Sequence, residues 1–137
     1  MELSHVSLVV PDIDAAIRRL RDVYGLNSGE VRENCEQDVR LCYVDLGNSR
    51  LELIQPLTPD SAVGRFLAKH PAGGLHHVCL SVGDVSEAKS KLEQRGVRIL
   101  GAGVRAFNVD GQEIAFIHPS DFFGALVEIE RGRCEGS

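Results

Sequence analysis

The sequence predicts an α+β fold built from two tandem βαβββ modules, and three observations predict it. The stretch Leu3-Ser4-His5-Val6-Ser7-Leu8-Val9-Val10-Pro11-Asp12-Ile13 returns as Leu75-His76-His77-Val78-Cys79-Leu80-Ser81-Val82-Gly83-Asp84-Val85, with His77 in the place of His5 and Asp84 in that of Asp12. Each half closes on an apolar stretch that carries one acid, Leu51-Glu52-Leu53-Ile54 and Leu126-Val127-Glu128-Ile129. The repeat is longer than the ~20–50 residues of solenoid arrays, so it marks a duplicated half-domain.

Taken in order, residues 5–10 are apolar and β-branched and stop at Pro11, which reads as a strand. Asp12 is a good helix N-cap, Ile13, Ala16, Ile17 and Leu20 fall at helical spacing, and Gly25 ends the helix. A weakly patterned strand is expected around 29–32, then clearer strands at 39–46 and 51–55, with Gly47 and Asn48 at the turn between them. The second half repeats the plan: a strand at 75–82, a cap at Asp84, a helix carrying Val85, Ala88 and Leu92 that stops at Gly96, and strands around 103–107, 113–118 and 125–130. The modules span about 1–56 and 75–131. Between them, 57–74 is a helical linker that starts at Pro59-Asp60-Ser61 and has Val63, Phe66 and Leu67 as its apolar face.

At 137 residues the chain is expected to form a single domain, 1–137, large enough for a core of its own. A hydrophobic content of 43% with 26% charged residues is ordinary for a globular protein. The net charge of −5 argues against a nucleic-acid surface, and no dense Lys/Arg run points to an anionic-membrane contact. The apolar stretches are too short to span a bilayer, and the N-terminus lacks a signal-peptide pattern, so a cytoplasmic protein is expected. Cys35, Cys42, Cys79 and Cys134 form no CxxC pair, which favours reduced structural thiols over disulfides or a zinc knuckle.

Alternation along the strands sorts the candidate residues. His5, Ser7 and Val9 share one face, as do His77, Cys79 and Ser81. Glu52 shares a face with Ile54, opposite Leu51 and Leu53; Glu128 shares one with Leu126 and Glu130, opposite Val127 and Ile129. Any one of these residues alone would more often be a hydrogen-bonded His or a solvated Glu. The duplication brings all four together as an expectation, because a lone acid among apolar strand residues needs a cation when buried. Two neutral imidazoles and two carboxylates balance one dication, and mixed N/O ligation suits Zn, Co, Ni, Mn or Fe rather than Ca. His76, whose counterpart is Ser4, takes a structural or rim role; His70 lies in a polar segment; His118 either lines the pocket or finishes its strand.

These residues resemble the vicinal oxygen chelate (glyoxalase/bleomycin resistance/dioxygenase) superfamily, and within it the methylmalonyl-CoA epimerase family, over nearly the whole chain. The marks are His5-Val6 with Val10-Pro11-Asp12, the run Val44-Asp45-Leu46-Gly47-Asn48-Ser49-Arg50-Leu51-Glu52-Leu53, Gly74-Leu75-His76-His77-Val78, Ile114-Ala115-Phe116-Ile117-His118-Pro119 and Gly124-Ala125-Leu126-Val127-Glu128. The resemblance implies one incomplete, curved sheet with helices outside, a homodimer, and one divalent metal ion held by His5, Glu52, His77 and Glu128. It also implies Glu36, in Glu36-Gln37-Asp38-Val39, as an acid/base residue; inverting a stereocentre needs a second such group, and Glu128 is expected to be its partner. The implied function is epimerisation of an acyl-CoA substrate, a 2-substituted malonyl-CoA such as (2R)/(2S)-methylmalonyl-CoA, by α-proton removal through a metal-stabilised enolate. Two alternatives share the fold: glyoxalase I (lactoylglutathione lyase), and a drug-sequestering binder of the bleomycin-resistance type. The chain departs from the epimerase pattern at Asp38, where Gly is usual, at Ser120, where Lys is usual, and across Arg105-Ala106-Phe107-Asn108-Val109-Asp110-Gly111.

Overall fold

Among the described residues, eight strands and three helices follow one another as β1 (Glu2–Val9), α1 (Ile13–Tyr24), β2 (Arg32–Asn34), β3 (Val39–Asp45), β4 (Arg50–Pro56), α2 (Ala62–Lys69), β5 (Gly74–Val82), α3 (Val85–Gln94), β6 (Ala106–Phe107), β7 (Glu113–Ile117) and β8 (Val127–Arg131). They are seen in a computed structural model that describes residues 1–101 and 103–132; Cys134 lies outside the described residues. By their contacts the residues group into two units, one of His5–His76 and one of Met1–Ser4 with the chain from His77 onward.

In the first unit the strands lie in the order β2-β3-β4-β1. β1 runs parallel to β4, with Ser7 opposite Glu52, and β3 runs antiparallel to β4, with Tyr43 opposite Glu52. Asp12 caps α1 by accepting from the Ala15 N–H at 3.1 Å. Gly25 ends it in the left-handed conformation, its N–H on the Arg21 carbonyl at 3.2 Å. The apolar stripe of α1 (Ile13, Ala16, Ile17, Leu20) packs with Leu8, Cys42, Val44, Leu51 and Leu53, so one side of these strands faces the helix. α2 starts at its cap Ser61 and buries Val63, close to the sequence reading.

The second unit repeats the arrangement as β5-β8-β7-β6. β5 is parallel to β8, with Cys79 opposite Glu128, and β7 is antiparallel to β8, with Phe116 opposite Glu128. Asp84 caps α3 through the Glu87 N–H at 2.8 Å. Val85, Ala88 and Leu92 of α3 pack with Val78, Leu80, Ala115, Ile117, Val127 and Ile129.

Four expectations are corrected. β1 begins at Glu2, and its first residues group with the second unit, where Ser4 Oγ donates to Glu130 and Ser81 Oγ to the Glu2 carbonyl. β2 starts at Arg32 rather than near 29; Ser28 makes only an isolated bridge to Val44. β6 is reduced to Ala106–Phe107, because Gly103 at φ 84° and the Val104 N–H bond to the Gly101 carbonyl at 2.9 Å keep the residues before it out of the ladder; behind it Asn108 Oδ1 accepts from the Asp110 and Gln112 N–H groups at 3.0 Å. β8 starts at Val127 rather than Ala125, since Gly124 at φ 87° and the Ala125 N–H bond to the Phe122 carbonyl hold the preceding residues in a turn. Cys42 and Cys79 are free and buried, while Cys35 is free and exposed.

Candidate metal centre

In each half the strand residues that face the helix are apolar, so the alternate residues carry the chemistry. In the first unit those are His5, Ser7, Tyr43 and Glu52. His5 is 1% exposed and Glu52 7%, and His5 Nε2 stands 3.6 Å from Glu52 Oε1. That separation is an electrostatic contact too long for a good hydrogen bond. Ser7, opposite Glu52 in the parallel pair, donates its hydroxyl to the same Oε1. The Tyr43 ring meets His5 edge to face at 5.5 Å, and the Arg50 guanidinium lies 4.0 Å from the Tyr43 ring centre.

The second unit holds the corresponding pair more tightly. His77 and Glu128 are buried, and His77 Nε2 lies 3.0 Å from Glu128 Oε1, within hydrogen-bond distance. Phe116 takes the place of Tyr43, edge to face with His77 at 5.6 Å. Two residues beyond Glu128 on the same face, the buried Glu130 accepts from Ser4.

Each half thus buries one imidazole beside one carboxylate. A buried carboxylate is stable only with donors or a cation around it. Buried His and Glu side chains of this kind could hold a divalent ion, since each half offers an imidazole nitrogen and a carboxylate oxygen, donors that suit a borderline dication.

The other candidates fall elsewhere. Glu36 is exposed in the turn between β2 and β3, and the structure does not bring it to the His5–Glu52 pair. Val39 pairs with Pro56 and Tyr43 with Glu52, four strand residues apart, so the turn begins about 13 Å along β3 from the level of Glu52. Asp38, where the resembling family has Gly, adopts φ 59°, the left-handed conformation that suits Gly; its carboxylate accepts from Thr58 Oγ and its carbonyl from the Leu57 N–H. His118 finishes β7 and caps the short helical turn Pro119–Asp121, its Nδ1 accepting from the Ser120 N–H at 3.1 Å. Arg98 donates to Ser120 Oγ, so a cation reaches this corner although the family's Lys is absent. His70 is exposed and stacks on Phe66, which also meets the half-buried His76. Arg105, in the divergent segment, is tied to Glu113, which also contacts Ser86 and Lys89; the Ser86 and Arg105 hydrogen bonds hold the Glu113 carboxyl below its usual range.

Sequence reasoning placed Ser7 with His5 and Glu130 with Glu128 but not their bonds to Glu52 and Ser4, and it missed Tyr43 and Phe116. Tyr43 and Phe116 were recoverable in part, since both lie on the strand paired with the acid-bearing one and occupy corresponding places in the repeat.

The family model for the glyoxalase/bleomycin resistance protein/dioxygenase superfamily matches residues 4–116. The chain is 38% identical over 129 residues to the ethylmalonyl-CoA/methylmalonyl-CoA epimerase of Cereibacter sphaeroides, covering 94% of this chain and 96% of that one. It is 40% identical over 129 residues to the mitochondrial methylmalonyl-CoA epimerase of Mus musculus, covering 94% of this chain and 72% of that one. A solved variant of Streptomyces coelicolor methylmalonyl-CoA epimerase in complex with 2-nitronate-propionyl-CoA matches with a TM-score of 0.88 at 32% identity, covering 100% of this chain and 98% of that one.

Proposed function

The chain belongs to the glyoxalase/bleomycin resistance protein/dioxygenase superfamily, and we propose that within it this chain is an epimerase of a 2-substituted malonyl-CoA that interconverts (2R)- and (2S)-methylmalonyl-CoA. The observation that carries the proposal is the burial of one His–Glu pair in each half, in a chain so similar to epimerases along nearly its full length.

His5, Glu52, His77 and Glu128 would hold one divalent ion. The duplication of the pairs and the donor chemistry support this; the metal itself is not specified by these ligands, because affinity follows a general order and availability decides. Such an ion would supply positive charge to offset the negative charge that develops on the substrate as the α-proton leaves. The four side chains contribute fixed orientation: buried among aliphatic neighbours and edge-on aromatic rings, they need little rearrangement when substrate arrives.

Inversion at the α-carbon requires a proton to leave one face and another to reach the opposite face. We assign this exchange to Glu36 and Glu128. A carboxylate oxygen of one takes the α-proton while the C–H electron pair moves into the enolate, and the other, already protonated, returns a proton from the far side. Such positioned acid–base help is worth about 10²–10⁴-fold. Glu128 is supported by its buried place beside His77, and Glu36 by the resemblance alone. The setting we propose is cytoplasmic, with the two units acting as a single domain, and a homodimer carried over from the resemblance. No helix among the described residues is long and apolar enough to cross a membrane.

The test is a substrate panel on metal-loaded protein: methylmalonyl-CoA, ethylmalonyl-CoA, and methylglyoxal with glutathione. The proposal expects epimerisation and α-proton exchange on methylmalonyl-CoA, and no lactoylglutathione. Turnover of the glutathione adduct alone would make the chain a glyoxalase, and ligand binding with no turnover would make it a sequestering protein.

A further inference from the structure

The two halves hold their buried acids by different means. In the second unit, His77 Nε2 reaches Glu128 Oε1 directly at 3.0 Å, and the residue opposite Glu128 across the parallel pair is Cys79. In the first unit, His5 Nε2 stands back at 3.6 Å, and the residue opposite Glu52 is Ser7, whose hydroxyl donates to Oε1. Ser7 and Cys79 are equivalent positions of the repeat. A hydroxyl is a good donor and a thiol a weak one. The half with Ser leans on the hydroxyl, and the half with Cys leans on its own imidazole.

From this asymmetry we infer that Ser7 is the positioning residue of Glu52. A glutamate's terminal torsion is broad and roughly two-fold, so packing around the stem leaves the carboxylate plane loosely set. A donor from the neighbouring strand sets it. Ser7 is fully buried, and its backbone is fixed by the β1–β4 ladder on either side, so its hydroxyl is delivered from a rigid element. The bond fixes Oε1 on the side facing His5 and so orients the carboxylate as a ligand. This role rests on the reading of Glu52 as a metal ligand.

The experiment measures the affinity of the purified full chain for Zn²⁺ and Co²⁺ by chelator competition, without substrate. Variants are Ser7→Ala, Ser7→Thr, Glu52→Ala and, for loss of packing on the helix-facing side of the same sheet, Cys42→Ala. Ser7→Ala removes a single oxygen and keeps the strand. It is expected to weaken metal binding about 10–100-fold, the usual effect of removing a group that orients a ligand. Ser7→Thr should restore most of that loss by returning the hydroxyl, and Cys42→Ala should lower thermal stability while leaving affinity unchanged. If Ser7→Ala binds both metals as wild type does while Glu52→Ala loses them, the ligand reading stands and the inference about Ser7 is overturned. If Glu52→Ala itself retains full affinity, the ligand reading falls and the inference falls with it.

Discussion

An acid buried on a strand keeps its charge only in suitable company, and this chain supplies the same company twice: an imidazole beside each acid and an aromatic edge against each imidazole. Glu36 has none of this. It is exposed in a turn, and its proposed role is chemical rather than structural. Glu36→Gln is therefore expected to keep the fold and the metal affinity, because the amide preserves shape and an exposed turn residue contributes little to stability. It should lose at least about 100-fold in epimerisation, the lower end of what positioned acid–base groups contribute. Measuring epimerisation together with α-proton exchange from deuterated water decides the matter: wild-type rates of both in this variant would remove Glu36 from the mechanism and leave its partner to be sought elsewhere.

Among the elements, the β2–β3 turn shows most clearly how a departure from a family's pattern is absorbed. The turn needs a residue with φ near 59°, and Asp38 meets that need because its short side chain tolerates the left-handed region and binds Thr58. Asp38→Val should cost about 2–3 kcal/mol, from left-handed strain of about 1–2 kcal/mol and a lost hydrogen bond of about 1 kcal/mol. Asp38→Gly trades the hydrogen bond for relief of strain and should stay within about 1 kcal/mol of wild type. Urea denaturation of the three proteins reads both values; equal losses in the two variants would show that backbone conformation does not hold this turn. The same logic explains why β6 falls short of expectation: just before it Gly103 takes φ 84°, a left-handed conformation that a strand does not use.

For the whole molecule, stability couples to a thiol far from solvent. Burial, and after it the negative charge of Glu52, push the Cys42 thiol from 9.0 up to about 11. The unfolded chain would release this proton near pH 9 and the folded chain only near 11, so between these values the native state holds more protons and stability falls as pH rises. In metal-free protein the unfolding free energy of wild type should therefore drop more steeply from pH 9 to 11 than that of Cys42→Ala, although the variant starts lower for lack of the sulfur. Parallel curves would show that other groups set the alkaline limit. The sequence by itself determined the two modules, their caps and the His and Glu faces, because strand alternation, helical spacing and Asp capping all act within about ten residues along the chain. The tertiary structure alone decided that Ser7 meets a carboxylate 45 residues away, that Tyr43 and Phe116 lie against the histidines, and that Met1–Ser4 group with the second unit. Those facts depend on which strands pair and in what register. Pairing is settled by the summed packing of distant segments and leaves no local mark on any one of them.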